Sequence, residues 1–148
     1  MKIIEIVMLT NKIEHLFNHY LSAFKAYNID GVSACYHLPC TLSTPDKIVL
    51  LTTEEQCQQE FIDIFTQLKA NDTANIVAKK ASYQKITENL MLACIDWDFI
   101  DDNQNVFADF CAYYHLVEVN QTVKIVNVVS HELSNSLTLA NQFELAQT

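Results

Sequence analysis

The side chains best suited to acid–base chemistry lie on two predicted strands in the last third of the sequence, at about residues 106–119 and 123–132. Alternate side chains of a strand point to the same face of a sheet. If residues 120–122 form a three-residue turn, Val119 lies opposite Val123 and the odd-numbered residues of both strands share one face. The polar members of that face are Asp109, Cys111, Tyr113, His115, Asn127 and His131. A carboxylate and two imidazoles on one face predict a candidate acid–base pair.

Each member of this face also has a plainer interpretation. Cys111 beside His131 has the composition of a thiol–imidazole pair, but nothing in the sequence marks an activated thiol, so a small buried residue is the favoured interpretation. Asp109 with His115 or His131 fits hydrogen-bonded polar residues at the rim of a sheet equally well. A two-residue turn would change the parity of one strand and dissolve the set.

Tyr20 is a third candidate because it carries a hydroxyl on an otherwise apolar helix face. Residues at helical spacing from Ile13 onward form that face: Ile13, Leu16, Phe17, Tyr20, Leu21 and Phe24. A buried tyrosine hydroxyl needs a hydrogen-bond partner. Tyr20 is therefore either an ordinary core tyrosine or a donor that faces a site.

Metal sites are weakly supported. His15 and His19 are four residues apart, as two metal ligands on a helix would be, but no third ligand accompanies them and they lie on the polar face. We interpret them as solvated histidines. The cluster of Asp96, Asp98 and the following acidic turn lacks a glycine-bearing loop of ligand spacing, so we expect neither a metal nor another cofactor.

Two predicted long helices and a run of strands must position these residues. The pattern predicts a helix capped by Thr10 or Asn11, a second short helix, two short strands, a long helix capped by Thr52 or Thr53, and four further strands. The six predicted strands lie at 40–43, 47–51, 76–86, 90–100, 106–119 and 123–132. Short connections between the last four favour an antiparallel meander. Trp97 falls on the apolar face of the 90–100 strand. The order predicts an α+β fold.

Composition excludes several classes of protein. The formal charge of −9 argues against nucleic-acid and anionic-membrane binding, and a single glycine cannot build a glycine-rich phosphate loop. Five cysteines without CxxC spacing favour reduced thiols and a cytoplasmic location. We expect an N-terminal extension at 1–9 and a single domain at 10–148.

The chain resembles the nuclear transport factor two-like superfamily, which includes ketosteroid isomerases, scytalone dehydratase and SnoaL-like polyketide cyclases. The resemblance rests on the order of elements and on the segments HYLSAFKAYNIDGVSACYHLPC and VKIVNVVSHE. It implies a strongly curved antiparallel sheet wrapped around the N-terminal helices, cone-shaped with an internal pocket. A shared fold does not carry a shared reaction.

Comparison with ketosteroid isomerases places three residues. Tyr20 falls where those enzymes keep the tyrosine that hydrogen-bonds the developing enolate, and His115 falls near their second, protonated donor. Thr44 falls where they keep the aspartate that moves the proton. Threonine cannot act as that base, so steroid isomerisation by this mechanism is not expected.

The resemblance implies a protein that binds, and in one interpretation transforms, a small apolar molecule by cofactor-free isomerase-, cyclase- or dehydratase-type chemistry. The alternative is a non-catalytic module that binds a ligand or a protein. The expected catalytic residues are Tyr20, Asp109, His115 and His131, and the expected ligand-binding residues are Phe17, Phe24, Tyr36, Trp97, Cys111, Tyr113 and Asn127.

The even-numbered residues of the 106–119 strand predict an assembly. Phe110, Ala112, Tyr114 and Leu116 form a face that helices could not cover if the odd residues faced the pocket. An exposed apolar face of that kind usually marks an interface, so we expect a homodimer.

Overall fold

The computed structural model describes residues 2–146. In chain order the elements are α1 (Lys2–Lys25), α2 (Ile29–Ser33), β1 (Tyr36–Ser43), β2 (Ile48–Leu51), α3 (Glu54–Ala70), β3 (Thr73–Lys85), β4 (Leu90–Asp101), β5 (Val106–Val119), β6 (Thr122–His131), a 3-10 turn (Leu133–Asn135) and β7 (Asn141–Gln142). The predicted α+β class is confirmed.

The strands form one curved, unclosed sheet in the order β2-β1-β6-β5-β4-β3-β7. Strands β3 to β6 pair antiparallel with their chain neighbours, which confirms the predicted meander. Two pairings have no counterpart in the prediction. Strand β7 pairs antiparallel with β3, and β1 runs parallel to β6 and brings the N-terminal half of the chain onto the meander. A cis peptide bond joins Leu38 to Pro39 within β1.

Helix α1 packs its apolar stripe onto the sheet. All six predicted members of the stripe are buried. The helix starts at Lys2, however, so Thr10 and Asn11 lie inside it rather than capping it. Residues 2–9 of the expected extension form its first turns and are exposed up to Met8. Within residues 2–146 no helix combines the length and the apolar character needed to cross a membrane.

Helix α3 follows the prediction closely. Thr53 caps it by accepting a hydrogen bond from the backbone N–H of Gln56, and acidic residues occupy the first turn, where the helix dipole favours them. Cys57, Phe61, Phe65 and Leu68 are buried. The rings of Phe61 and Phe65 contact Phe24 of α1 edge-on, and this contact closes one side of the core.

The β5–β6 hairpin differs from the predicted one at its turn. Asn120 and Gln121 form a two-residue turn with φ of 51° and 67°, so Val119 pairs with Thr122. A register shift after His115 then restores the original parity. The expected partners His115–Asn127 and Cys111–His131 are therefore observed, although the turn prediction was wrong.

The inward face of β5 is the even-numbered one. Tyr114 packs against Phe17 of α1 with ring centroids 4.8 Å apart, and Ala112 and Leu116 are fully buried. The prediction that odd residues face inward was wrong, because the stripe of α1 covers the more apolar face of the strand. The even face is thus covered by α1 and is not the exposed surface from which a homodimer was expected.

Residues 132–146, here called the C-terminal strap, cross the outer face of the sheet. Three hydrogen bonds hold the strap to successive strands. On β5, the hydroxyl of Tyr113 donates to the carbonyl of Asn135. On β4, Asp96 accepts from Ser136 Oγ (2.6 Å), and on β3, Ser82 Oγ accepts from the Leu139 N–H (2.9 Å). It then passes the edge of β3, where β7 pairs, and places the ring of Phe143 5.9 Å from that of Phe17. The strap therefore joins the outer face of the sheet to α1.

Candidate functional site

A pocket of about 640 Å³ lies between α1, α3 and the inner face of the sheet. Its lining comes from almost every element: Tyr20, Leu21 and Phe24 of α1, Tyr36 and Leu42 of β1, Phe61 and Ile64 of α3, Ile76 of β3, Trp97 and Phe99 of β4, Phe110 and Tyr114 of β5, and Val128 and Ser130 of β6. Most of these side chains are apolar, which is the usual character of a small-ligand pocket.

The buried end of the pocket carries the polar atoms of four aromatic side chains, which form two hydrogen-bonded pairs. The indole N–H of Trp97 donates to the hydroxyl of Tyr114 (2.9 Å), and the hydroxyls of Tyr20 and Tyr36 lie 3.1 Å apart. The rings of Tyr20 and Tyr114 lie edge to face, with centroids 6.0 Å apart. The four residues are between 2% and 7% exposed, so their polar atoms depend on one another for partners.

Burial raises the pKa of Tyr20, Tyr36 and Tyr114 well above 10.0, and the neighbouring tyrosines raise the pKa of Tyr20 and Tyr114 further. The hydroxyls are therefore protonated at neutral pH. They act there as neutral hydrogen-bond donors and acceptors and not as bases.

Charged side chains stand at the open end of the pocket. Lys47 Nζ lies 4.0 Å from Glu60 Oε2, and the lysine side chain is 63% exposed. Asp63, Thr66 and Gln67 of α3 are exposed and line the same end. The pocket thus changes from apolar and buried to polar and solvated toward the mouth.

Residues 11–133 match the family described as NTF2-like protein (DUF6841). The chain belongs to this family. Solved structures of NTF2-like proteins share its fold. One from Novosphingobium aromaticivorans, described as NTF2-like with a cystatin-like fold, is 9% identical with a TM-score of 0.70 over 85% of this chain and 82% of its own.

Two further similar structures come from other bacteria. A provisionally assigned ketosteroid isomerase from Shewanella frigidimarina is 13% identical, with a TM-score of 0.64 over 78% of this chain and 91% of its own. A domain of unknown function from Nostoc punctiforme is 13% identical, with a TM-score of 0.67 over 86% and 76%. No curated protein matches the sequence. At these identities the likeness establishes the NTF2-like fold alone.

Four of the expected site residues line the NTF2-like pocket: Tyr20, Phe24, Tyr36 and Trp97. Phe17 lies beneath them in the core, fully buried and outside the lining. Thr44, which the resemblance aligns with the isomerase base, also lines the pocket. Tyr20 and Phe24 belong to the apolar stripe of α1, and Trp97 lies on the apolar face of its strand, while the functional roles of these residues stay predictions.

The other expected site residues lie on the outer face, away from the pocket: Asp109, Cys111, Tyr113, His115, Asn127 and His131. Cys111 and Tyr113 bond to the backbone of the strap, and Asn127 accepts a hydrogen bond from Thr41 (2.8 Å). The expectation that they share a cavity with Tyr20 was wrong, because the wrong face of β5 was taken as inward. Burial raises the pKa of the Cys111 thiol, as expected for a structural cysteine.

Tyr114 was not among the expected site residues, although it lines the pocket and accepts the indole N–H of Trp97. Its signal was present, since Tyr114 lies on the apolar, even-numbered face of β5 and α1 offers a stripe that needs such a face. The α3 side chains at the mouth were missed as well. No three His, Cys, Asp or Glu side chains come together as metal ligands anywhere in residues 2–146, and His15 and His19 are exposed.

Proposed function

We propose that this NTF2-like protein binds a small, mainly apolar molecule in the pocket between α1, α3 and the sheet. The observation that carries the proposal is the buried end of an otherwise apolar cavity, where Trp97 bonds to Tyr114 and Tyr20 bonds to Tyr36. An apolar cavity with a few converging polar groups is the common form of a ligand site. The apolar wall supplies affinity, and the hydroxyls orient a polar atom of the ligand.

Binding is favoured over acid–base conversion because the buried end offers no base. A general base must lie within hydrogen-bond reach of the proton that it removes. The three tyrosines are held in their protonated form, and Thr44, which the resemblance aligns with the isomerase carboxylate, has no carboxylate to act as a base. Glu60 is the one lining carboxylate with a mostly buried side chain, 18% exposed, among the described residues. An isomerase- or dehydratase-type reaction would have to rely on Glu60 near the mouth.

The neutral dye N-phenyl-1-naphthylamine tests the proposal because its emission rises in apolar surroundings. Trp97 is the sole tryptophan of the chain and lines the pocket, so its emission should be transferred to dye bound there. Ile64→Phe, which adds volume to the pocket wall, should weaken dye binding about tenfold, because overpacking a filled site commonly costs 1–3 kcal/mol.

Ile62→Phe is the matched control. Ile62 lies on the same helix, is 43% exposed and does not line the pocket, so this variant should bind the dye like the wild type. Equal weakening by both variants, or dye binding without energy transfer from Trp97, would place the dye elsewhere and remove the proposal.

A further inference from the structure

The charged side chains that line the pocket are mostly acidic. In the part of the chain that the structure describes they are Glu60 and Asp63 of α3 and Lys47 of the β1–β2 connection. Two negative charges therefore stand against one positive charge. Side chains three residues apart lie on the same side of a helix, so both carboxylates belong to the wall that α3 supplies.

Glu60 is a partly buried carboxylate without a close partner. Its side chain is 18% exposed, and a carboxylate shielded from water to that degree is costly unless a donor or a cation pairs with it. The ammonium of Lys47 lies 4.0 Å from Glu60 Oε2, which is too far for a direct hydrogen bond, and the lysine side chain is 63% exposed. Among residues 2–146 no group donates a hydrogen bond to Glu60. Its oxygens can therefore accept from a further donor in the pocket.

Asp63 is in a different situation. It is exposed and accepts a hydrogen bond from Gln59 Nε2 (3.0 Å), so its charge is already solvated and partnered. It adds negative potential at the mouth without needing another partner. The formal charge of −9 acts in the same direction, because a protein of that charge attracts cations and repels anions at long range. Glu60 is thus the lining charge that a bound cation would stabilise most.

We infer that the pocket takes an apolar molecule that carries a protonated amine, and that the ammonium group of this ligand pairs with Glu60. The inference rests on the proposed function and adds the charge of the ligand. The apolar wall holds the hydrocarbon body, and the ammonium supplies the charge-assisted N–H donors that Glu60 lacks. Lys47 competes with the ligand for Glu60, and its exposed side chain is free to turn to solvent when the ammonium binds.

Three molecules with one bicyclic skeleton test the inference. At neutral pH 2-aminoindane carries an ammonium group, indane carries no charge, and indane-2-carboxylate carries a negative charge. Their affinities are measured by displacement of N-phenyl-1-naphthylamine. We expect 2-aminoindane to bind about tenfold more tightly than indane, as one charge-assisted hydrogen bond would provide, and indane-2-carboxylate to bind more weakly than indane.

Two substitutions should move this preference in opposite directions. The quantity compared is the ratio of the affinities for 2-aminoindane and indane within each variant. Glu60→Gln removes the carboxylate charge, so the ratio should fall to about one. Lys47→Gln removes the competing cation, so the ratio should rise about threefold above that of the wild type. Lys47→Gln carries the test alone if Glu60→Gln fails to fold.

Glu55→Gln is the matched control for the loss of charge. Glu55 lies on the same helix, is exposed and does not line the pocket, so this variant should keep the wild-type ratio. An equal fall of the ratio in Glu55→Gln and Glu60→Gln would show an effect of net charge alone and would overturn the inference.

The remaining outcomes separate the inference from the proposed function. Equal affinity for 2-aminoindane and indane, tighter binding of indane-2-carboxylate, or a ratio that does not rise in Lys47→Gln overturns the inference and leaves binding in the pocket intact. Absence of dye binding in the pocket removes the proposed function, and the inference with it.

Discussion

The tyrosine hydroxyls at the buried end of the pocket tie stability to pH. Because the pKa of Tyr20, Tyr36 and Tyr114 is raised in the folded protein, the unfolded chain loses these protons first as pH increases. Their stabilising contribution is therefore complete below pH 10.0, the ordinary tyrosine pKa, and declines above it.

We expect the free energy of unfolding to fall above that pH by up to about 1.4 kcal/mol per pH unit for each of these tyrosines. Tyr20→Phe should reduce the slope, because one titrating group is removed. Urea unfolding from neutral pH to about pH 11 measures it. The control is Phe61→Leu, a buried substitution without an ionisable group, whose curve should run parallel to that of the wild type. A slope unchanged in Tyr20→Phe would contradict the prediction.

At the same scale, the type of a residue was a poor guide to whether it lines the pocket. Asp109, His115 and His131 were chosen because their side chains are suited to acid–base chemistry, yet they lie on the outer face. Tyr114, which lines the pocket and accepts the indole N–H of Trp97, was assigned to an apolar interface. The sequence states the chemistry of a side chain directly. The face of the sheet to which that side chain points depends on packing with distant residues.

Among the elements, those with a local cause were predicted well. Helix α3 has a capping threonine, acidic residues in its first turn and a regular stripe, and all three signals are short-range. The strands β3 to β6 have a clear period of two and short connections. The turn at Asn120 and Gln121 was missed because two non-glycine residues there adopt positive φ, which their types permit without requiring.

The C-terminal strap is expected to be a major source of stability although little of it is regular structure. Phe143 is 5% exposed and packs against both Phe17 and Tyr83, with ring centroids 5.9 and 6.1 Å apart. Phe143→Ala should lower the free energy of unfolding by about 3–5 kcal/mol, the cost of truncating a large core aromatic. Chemical denaturation measures the change.

Leu137→Ala is the control within the same segment. Leu137 is 48% exposed, so its truncation should change stability by less than about 0.5 kcal/mol. If Phe143→Ala changes stability as little as Leu137→Ala does, the prediction is contradicted. The strap then covers the outer face of the sheet but does not stabilise the fold through α1.

On the scale of the whole molecule, the homodimer expected from the sequence stays a prediction. The structure suggests a different surface for its interface, the β2 edge of the sheet. Strand β2 is one edge of the sheet, and its Ile48 and Leu50 side chains are 76% and 62% exposed. Exposed apolar edge strands tend to pair with another chain. We expect sedimentation at micromolar concentration to show a dimer that Leu50→Lys dissociates.

The control for this experiment is Ile86→Lys, at an exposed position in the β3–β4 connection, which should leave the assembly unchanged. A wild-type protein that sediments as a monomer would rule out the dimer altogether. Dissociation by both variants would indicate a general effect of added charge.

The global arrangement was predictable only in outline. The class and the meander followed from periodicity, but the parallel pairing of β1 with β6 and the path of the strap did not. Thr41 pairs with Asn127, 86 residues away, and no local pattern encodes such a partner. The complete lining of the pocket could not be predicted for the same reason, because its walls come from both halves of the chain.

The strap has a kinetic consequence. The hydrogen bond from the Glu144 N–H to Glu14 spans 130 residues, and that from the Ala146 N–H to Asn18 spans 128. Contacts of such long sequence separation form slowly, because the entropy cost of closing a large loop comes before any stabilising interaction. The strap reaches α1 only by way of β3, so the sheet has to exist first. Attachment of the strap to α1 is accordingly expected as a late event on the folding pathway, after collapse of the meander onto the helix.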